Sequence, residues 1–457
     1  MVQNPSVEVR FLANVARLFP GRETLLAAFF ALLLAKMALP IPALALYVPT
    51  AFVIGALFVQ RASGAVQHEP SRRSVLAMLL FFATVAFYLA GILKGGGVLY
   101  QNNRVDSVGL VIAATLPWLL GGPARADTAL LWLKLQKWVW LACVGISVLS
   151  IIKFVALLNG QEIPFLSFIY QLDGRDYPGG TALTTDYNFY SLCLLVGVLS
   201  AARLATDAAS PRLLRFLSAV SLPVISASVL FAGSRRGWVG LAVLAIAGAA
   251  VYAKRVLIDR GNPVGRNGGL LIALLLAGSV ALGGMYATLQ GVDGLGEIER
   301  LWTRFGTITG EVGTFDESFG SRIDSWDFGL KEIIPRYSAV EVAFGRDFSY
   351  LKRYAREFPI YYPTEYYPHN PIISAIHYSG LFGAAAVMLL LISSAIYVLH
   401  LSRKLGLFAF LTCVLFLTFN FVSNNSIFSA PAFIAILVLV QVSETVSRAE
   451  GLEPVSR

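Results

Sequence analysis

The chain has 457 residues, 56% of them hydrophobic and only 14% charged, with a mean hydropathy of +0.68 and a formal net charge of +9. That charged fraction is far below the roughly 25% of soluble domains, which excludes a soluble globular class and predicts a polytopic membrane protein. The positive balance does not call for nucleic acid, because cytoplasmic loops of membrane proteins collect Lys and Arg on their own.

In chain order, the first long apolar run starts near Thr24, lacks a small-residue cleavage site and continues into a second span, so it is not read as a cleavable signal. Allowing about 20 apolar helical residues per crossing gives spans at 24–39, 42–60, 75–93, 107–122, 138–158, 186–203, 214–232, 236–253, 269–289, 380–399, 405–421 and 427–443. The expected fold is therefore all-α and polytopic, with about twelve transmembrane helices and both termini on one side. Segments on the N-terminal side hold Arg10, Arg17 and Arg22; Arg61, Arg72 and Arg73; Arg125, Lys134 and Lys137; Arg203, Arg212 and Arg215; Lys254, Arg255, Arg260 and Arg266; Arg403 and Lys404; and Arg448 and Arg457. The short connections opposite hold only Lys94, Arg104, Arg175, Arg235 and Arg236, so the termini are read as cytoplasmic. Three parts follow: helices 1–9 in 1–289, a large outward loop in 290–370, and helices 10–12 with a cytoplasmic tail in 371–457. Cys143, Cys193 and Cys413 fall inside spans, which argues against a disulfide framework or a metal site. Lys36 and Lys153 lie near outer span ends, where snorkelling accounts for them.

The turn "AGSRRGW" joins the seventh and eighth spans on the outer side, where topology does not call for arginine. Arg235 and Arg236 also stand at the positive end of the eighth helix, an uncomfortable place for a cation unless an anion compensates. Helix-start amides, a guanidinium and the flanking Gly233 and Gly237 make a phosphate site; the alternative is that both arginines snorkel to lipid headgroups.

Within the large loop, "SRIDSWDFGLKEI" offers Ser321 as an N-cap with Asp324 three residues on, and Ile323, Trp326, Leu330 and Ile333 at helical spacing. The stretch "DFSYLKRYAREFPIYYPTEYY" interleaves Lys352, Arg353 and Arg356 with Phe348, Tyr350, Tyr354, Phe358, Tyr361 and Tyr362, a mixture read first as an aromatic belt in the headgroup layer. The loop ends in "YYPHNPIISAIHYSGLFG", where Asn370 is a good N-cap and Pro371 a good first helical residue. From there to Arg403 is about 45 Å of helix against about 30 Å of hydrocarbon, so the helix either projects or bends at Gly380. His369 stands just before this helix, where the positive end disfavours imidazolium and leaves a ring able to accept a proton. His377, two turns in, is read as packed, and His68 and His400 lie at the cytoplasmic side.

These pieces resemble the bacterial O-antigen ligases. His369-Asn370, nine residues, then Gly380-Leu381-Phe382-Gly383 fits their H-[NSQ]-x9-G-x-x-[GTY] pattern. "AGSRRG" is similar to the Gly-Ser-Arg turn of the wider ligase and polymerase superfamily, "GSRIDSW" to its Ser-Arg-x-x-x-Trp stretch, and "TTDYNFYSL" to its Asn-Phe span start. The resemblance covers about residues 160 to 400. It implies a GT-C-like, metal-independent glycosyltransferase of the bacterial inner membrane whose active site faces the periplasm. The donor would be undecaprenyl diphosphate-linked O-antigen and the acceptor a sugar hydroxyl of the lipid A core oligosaccharide. Arg235, Arg322 and His369 carry the family's functional positions, with Arg235, Arg236 and Arg322 on the diphosphate, and Asn370, Asn188, Trp326 and Gly380 in support.

The chemistry of the residues agrees: arginines offset the charge on a departing diphosphate, and His369 takes the acceptor's proton. No carboxylate pair stands out as nucleophile, so a single inverting displacement is expected. No DxD or outward His/Asp cluster calls for a metal, no cofactor is expected, and Asp173-Gly-Arg175-Asp176 reads as a solvated loop. Within the superfamily the runner-up is a polysaccharide polymerase, then a protein O-oligosaccharyltransferase. A transporter or flippase would show repeated halves or charges deep in several spans, and neither is apparent.

Overall fold

Apolar runs of this length leave the backbone one way to satisfy its own N–H and C=O groups away from water, and helices are what form. The computed structural model describes residues 19–39, 43–63, 72–120, 128–158, 181–184, 186–207, 210–258, 322–359, 364–405, 407–421 and 424–449, with short pieces at 161, 163, 171–172 and 175–176. The first helices are α1 (Arg22–Ala38), α2 (Ala43–Ala62), α3 (Arg72–Lys94), α4 (Gln101–Leu120) and α5 (Thr128–Leu158). They are followed by α6 (Tyr187–Thr206), α7 (Arg212–Leu230) and α8 (Arg235–Ile258). After the large loop's helical segment at 322–336 come α9 (Ala339–Phe344), α10 (Tyr350–Glu357), α11 (Pro371–Leu405), α12 (Leu407–Phe421) and α13 (Pro431–Ala449). Among the described residues the only strands are an antiparallel ribbon of Gln171–Leu172 with Arg175–Asp176.

The expected span at 269–289 and the loop up to Ser321 lie outside the described residues. Every other expected span falls on one of the helices. Five stretches are long and apolar enough to cross a membrane: Val75–Lys94, Leu130–Ala156, Tyr187–Thr206, Arg212–Leu230 and Pro371–Leu399. Their outer faces agree. α3 turns Leu76, Leu79, Leu89 and Leu93 outward, α5 Leu141, Val148, Ile152 and Val155, and α11 Leu381, Leu389, Ile392 and Ile396. Stripes of this kind are unfavourable in water and match hydrocarbon, so the fold is compatible with a helical membrane protein.

The chain divides into two compact units, one from Met1–Phe30, Ala43–Lys134 and Ser318–Arg457, the other from Ala31–Pro42 and Leu135–Glu317. In the first, α3 packs along α11, α4 lies beside α3 and along α13, and α9 crosses α11. The surplus length of α11 is taken up by a bend at Gly380, whose φ of 67° and ψ of −167° are non-helical. The bend lets two backbones meet. A Cβ on Gly345, itself at φ 78°, would stand 2.3 Å from the Ser379 nitrogen, and one on Gly380 would stand 2.3 Å from the Gly345 nitrogen.

In the second unit α6 is central, with Leu192, Leu194, Leu195 and Val196 fully buried, and packs along α7 and α8. The Tyr190 hydroxyl donates to Ser150 Oγ at 2.6 Å. Cys143 and Cys193 are free buried thiols with sulfurs 3.9 Å apart. Lys153 departs from expectation: it does not snorkel but is fully buried, its Nζ donating to the Ala182 carbonyl at 2.6 Å. A loop carbonyl brought to the helix gives the ammonium a partner inside the fold, which its position in the sequence did not reveal.

Gly345→Ala should lower the thermal midpoint of the detergent-purified protein by the equivalent of about 2 kcal/mol or more, because positive φ and a backbone clash act together. Gly96→Ala is the control: φ is 71° but no atom lies within 4 Å of the new methyl, so the loss should be smaller.

Candidate functional site

The HN segment is built as a helix start. Asn370 Oδ1 accepts from the Ile372 and Ile373 nitrogens at 3.0 and 3.3 Å, its carbonyl accepts from the Ser374 nitrogen at 3.0 Å, and Pro371 opens α11. His369, one residue earlier, has φ 54° and is the only non-glycine residue with positive φ among those described. A residue held left-handed against its preference costs on the order of 1 kcal/mol and persists only where its surroundings fix it, which is characteristic of functional sites. Here the half-buried ring lies 4.4 Å from the Tyr367 ring and edge-on to Tyr366 at 5.3 Å.

The stretch carrying Arg322 is brought to the same place. Residues 322–336 form one helical segment, widening to a π-turn at Phe328–Ile333 and tightening to a 3-10 turn at Ile334–Arg336. Trp326 Nε1 donates to the Pro368 carbonyl at 2.6 Å, pinning this segment to the residue before His369. Arg322 is half-buried one turn earlier on the same face.

The described part of the aromatic stretch, 348–358, packs against protein rather than standing in a headgroup belt, and Tyr361 and Tyr362 lie outside the described residues. Phe348, Tyr350 and Tyr354 are buried in the first unit, and only the opposite face of α10, with Lys352 and Arg356, is exposed. Interleaved rings and bases produce an amphipathic helix whether its apolar face meets lipid or protein, and here it meets protein. His377 is packed, as expected. It hydrogen-bonds Tyr337 through Nδ1 at 3.2 Å and Tyr354 through Nε2 at 3.4 Å, and stacks on Tyr350 at 4.8 Å between ring centres. Burial pushes the Tyr337 phenol up to about 12, so it keeps its proton at neutral pH.

Beneath the HN helix lies a polar network that sequence reasoning missed. Asn425 Oδ1 accepts from Ser374 Oγ at 2.9 Å and from the Tyr350 hydroxyl at 2.7 Å. The buried Asp106 carboxylate accepts from the Tyr88 hydroxyl at 2.5 Å and from Ser426 and Ser429 Oγ at 2.7 Å each. Glu365 accepts from the Gln101 and Asn102 nitrogens at 2.9 and 3.2 Å, and Lys94 donates to the Phe344 and Gly345 carbonyls. Residues 94–102, 322–359, 364–370 and 424–426, all on one side in the sequence topology, thus meet at one end of this unit, with 427–430 from the start of the expected last span. The available signal was the polar run "NNSIFS" between two apolar spans, with Asp106 alone at a span edge.

Arg235, Arg236 and Asn188 belong to the second unit. Gly233, at φ 70°, turns the chain, and Ser234 Oγ accepts from the Gly237 nitrogen at 3.1 Å to cap α8. The Ser234 hydroxyl donates to Asn188 Oδ1 at 3.0 Å, so the Asn-Phe start and the arginine turn are one construction. Asp186 caps α6, accepting from the Asn188 and Phe189 nitrogens at 3.2 and 3.1 Å. Thr181 adds a second tie, its nitrogen donating to the Phe231 carbonyl at 3.1 Å and its hydroxyl to the Ser228 carbonyl at 2.6 Å. Asp186 was also missed, although an acidic residue just before a helical run is an ordinary cap signal. Among the described residues no three His, Cys, Asp or Glu side chains stand together as a metal site. No protein-family model and no curated protein matches this chain.

His369→Gly should be more stable than His369→Ala by about 1 kcal/mol in thermal denaturation, because glycine alone relieves the left-handed strain. An alanine variant as stable as the glycine variant would mean that the backbone is not held there.

Proposed function

We propose that the chain is an O-antigen ligase-type glycosyltransferase of about twelve spans, GT-C-like, in the bacterial inner membrane, with both termini cytoplasmic and its active site facing the periplasm. It transfers polysaccharide from undecaprenyl diphosphate to a sugar hydroxyl of lipid A core, with neither metal nor cofactor. The Trp326–Pro368 hydrogen bond carries this reading, because it joins two motifs, Ser-Arg-x-x-x-Trp and HN, that are far apart in sequence and belong to one catalytic set in the family they resemble.

In the reaction the acceptor hydroxyl oxygen attacks the anomeric carbon, the bond from that carbon to the diphosphate oxygen breaks, and configuration inverts. His369 receives the hydroxyl proton, and its fixed backbone aims the ring before the acceptor arrives. Undecaprenyl diphosphate leaves, and Arg235 and Arg322 offset the charge it gains, a contribution of the preorganised electrostatic kind. Asn370 holds the helix start behind His369, Trp326 holds the Arg322 helix, and Gly380 supplies the bend of α11.

The test is transfer by the purified protein, reconstituted with lipid-linked polysaccharide and lipid A core. His369→Ala, Arg322→Ala and Arg235→Ala should insert normally and lose about 10² to 10³ in rate. Trp326→Phe, which keeps the ring and removes the pin, should lose about tenfold. Wild-type transfer by His369→Ala and Arg322→Ala would overturn the assignment, and elongated polyprenyl-linked product without lipid A-linked product would make the protein a polymerase.

A further inference from the structure

Glu365 is an acidic residue in the stretch between α10 and α11 that the proposed chemistry does not use, yet both of its carboxylate oxygens are engaged by α4, whose first residue lies 264 positions earlier. The Gln101 and Asn102 nitrogens donate to Oε1 and Oε2 at 2.9 and 3.2 Å, and the Asn102 side chain donates to Oε2 at 2.9 Å. The reason lies in α4 itself. Its first intrahelical bond runs from the Arg104 nitrogen to the Tyr100 carbonyl at 3.3 Å, so Tyr100 is the N-cap, and a tyrosine carries no acceptor short enough to reach the free amides of the first turn. Asn103 Oδ1 is spent on the Tyr100 nitrogen at 3.0 Å. The acceptor that α11 takes from its own Asn370 comes to α4 from Glu365, where the carboxylate also meets the positive end of the helix.

A borrowed cap is also a tether. The stretch that carries His369 is fixed at Glu365 to α4, at the Tyr366 nitrogen to the Leu351 carbonyl of α10 at 3.1 Å, at the Pro368 carbonyl to Trp326 at 2.6 Å, and at Asn370 to the first turn of α11. Tyr366 and Tyr367, whose rings lie 5.3 and 4.4 Å from that of His369, follow Glu365 directly. The carboxylate therefore fixes the entry of this stretch as Asn370 fixes its exit, and the left-handed residue at φ 54° lies between the two.

We infer that Glu365 is a positioning residue for His369: by capping α4 across the fold it ties down the stretch that delivers the histidine, and so sets the ring before the acceptor arrives. The catalytic half of this inference rests on the reading of His369 as the base; the mechanical half stands on the tether alone.

The full-length protein is tested by two readouts, one of which needs no transfer. The gap in thermal midpoint between His369→Gly and His369→Ala, measured in detergent, should shrink to less than about half when Glu365→Ala is added, because a stretch without its tether lets the left-handed residue relax. In the reconstituted transfer assay, Glu365→Ala should lose about tenfold in kcat with the acceptor's KM nearly unchanged. Tyr100→Ser separates tether from cap, since it gives α4 an acceptor of its own. Glu365→Ala with Tyr100→Ser should regain the midpoint lost by Glu365→Ala, but neither the rate nor the gap at 369. Where Glu365→Ala does not accumulate, Glu365→Gln, which keeps the length and one acceptor, supplies the same comparison with and without Tyr100→Ser. Recovery of the rate together with the midpoint in the double variant would reduce Glu365 to a cap and overturn the positioning role. A gap at 369 that is absent from the parent or unchanged by Glu365→Ala would overturn the tether. Absence of transfer by the parent protein would overturn the proposed function instead, and the gap at 369 would still decide the tether.

Discussion

A carboxylate taken wholly out of water must be met by donors from the fold, and Asp106 is met by three hydroxyls: Tyr88 from α3 and Ser426 and Ser429 from the connection before α13. Asn103 adds a bond to Tyr88 at 2.8 Å. Each member is worth little alone, but leaving any one unmet inside the protein is expensive, so the set forms together or not at all. Ser426 is also the neighbour of Asn425, which reaches Ser374 in the first turn of α11 and Tyr350 in α10. The HN helix therefore starts from a platform fixed by groups more than 300 positions apart in the chain, and the site at its tip depends on a carboxylate that never faces it.

That platform makes the backbone of His369 intelligible. The left-handed conformation is imposed from both sides: Asn370 and Pro371 commit the following residues to a helix, and Trp326 holds the preceding carbonyl. Tyr366 and Tyr367 then close on the ring, and Tyr366 is itself tied to α10 through the Leu351 carbonyl at 3.1 Å. In the proposed transfer, a histidine aimed by its backbone would have little orientational freedom left to lose on meeting a hydroxyl.

What the sequence made legible follows from local physics. Long apolar runs showed the helices, Asn370-Pro371 showed where α11 starts, and the mismatch of helix length and hydrocarbon thickness pointed to the bend at Gly380. What it concealed were decisions made by distant partners. Nothing near Lys153 announces the Ala182 carbonyl, and nothing near Asp106 announces Ser426. The α10 periodicity shows an apolar face but not whether lipid or protein covers it. The π-turn at Phe328–Ile333 is a small departure from ordinary helix that hydrophobic spacing alone does not betray. Asp186 was readable as a cap, yet the helix it starts carries Asn188, which bonds Ser234 of the arginine turn, a motif that a linear scan treats as separate.

The two candidate motifs use the same physical device for opposite ends. His369 stands just before the start of α11, and Arg235 is the first residue of α8. The free amides and dipole of a helix start make a positive field in both places. Beside a guanidinium, which cannot give up its charge, the same field raises the free energy until an anion arrives. In the proposed function one helix start would favour a base and the other a diphosphate, the two groups that glycosyl transfer from a lipid diphosphate to an alcohol requires.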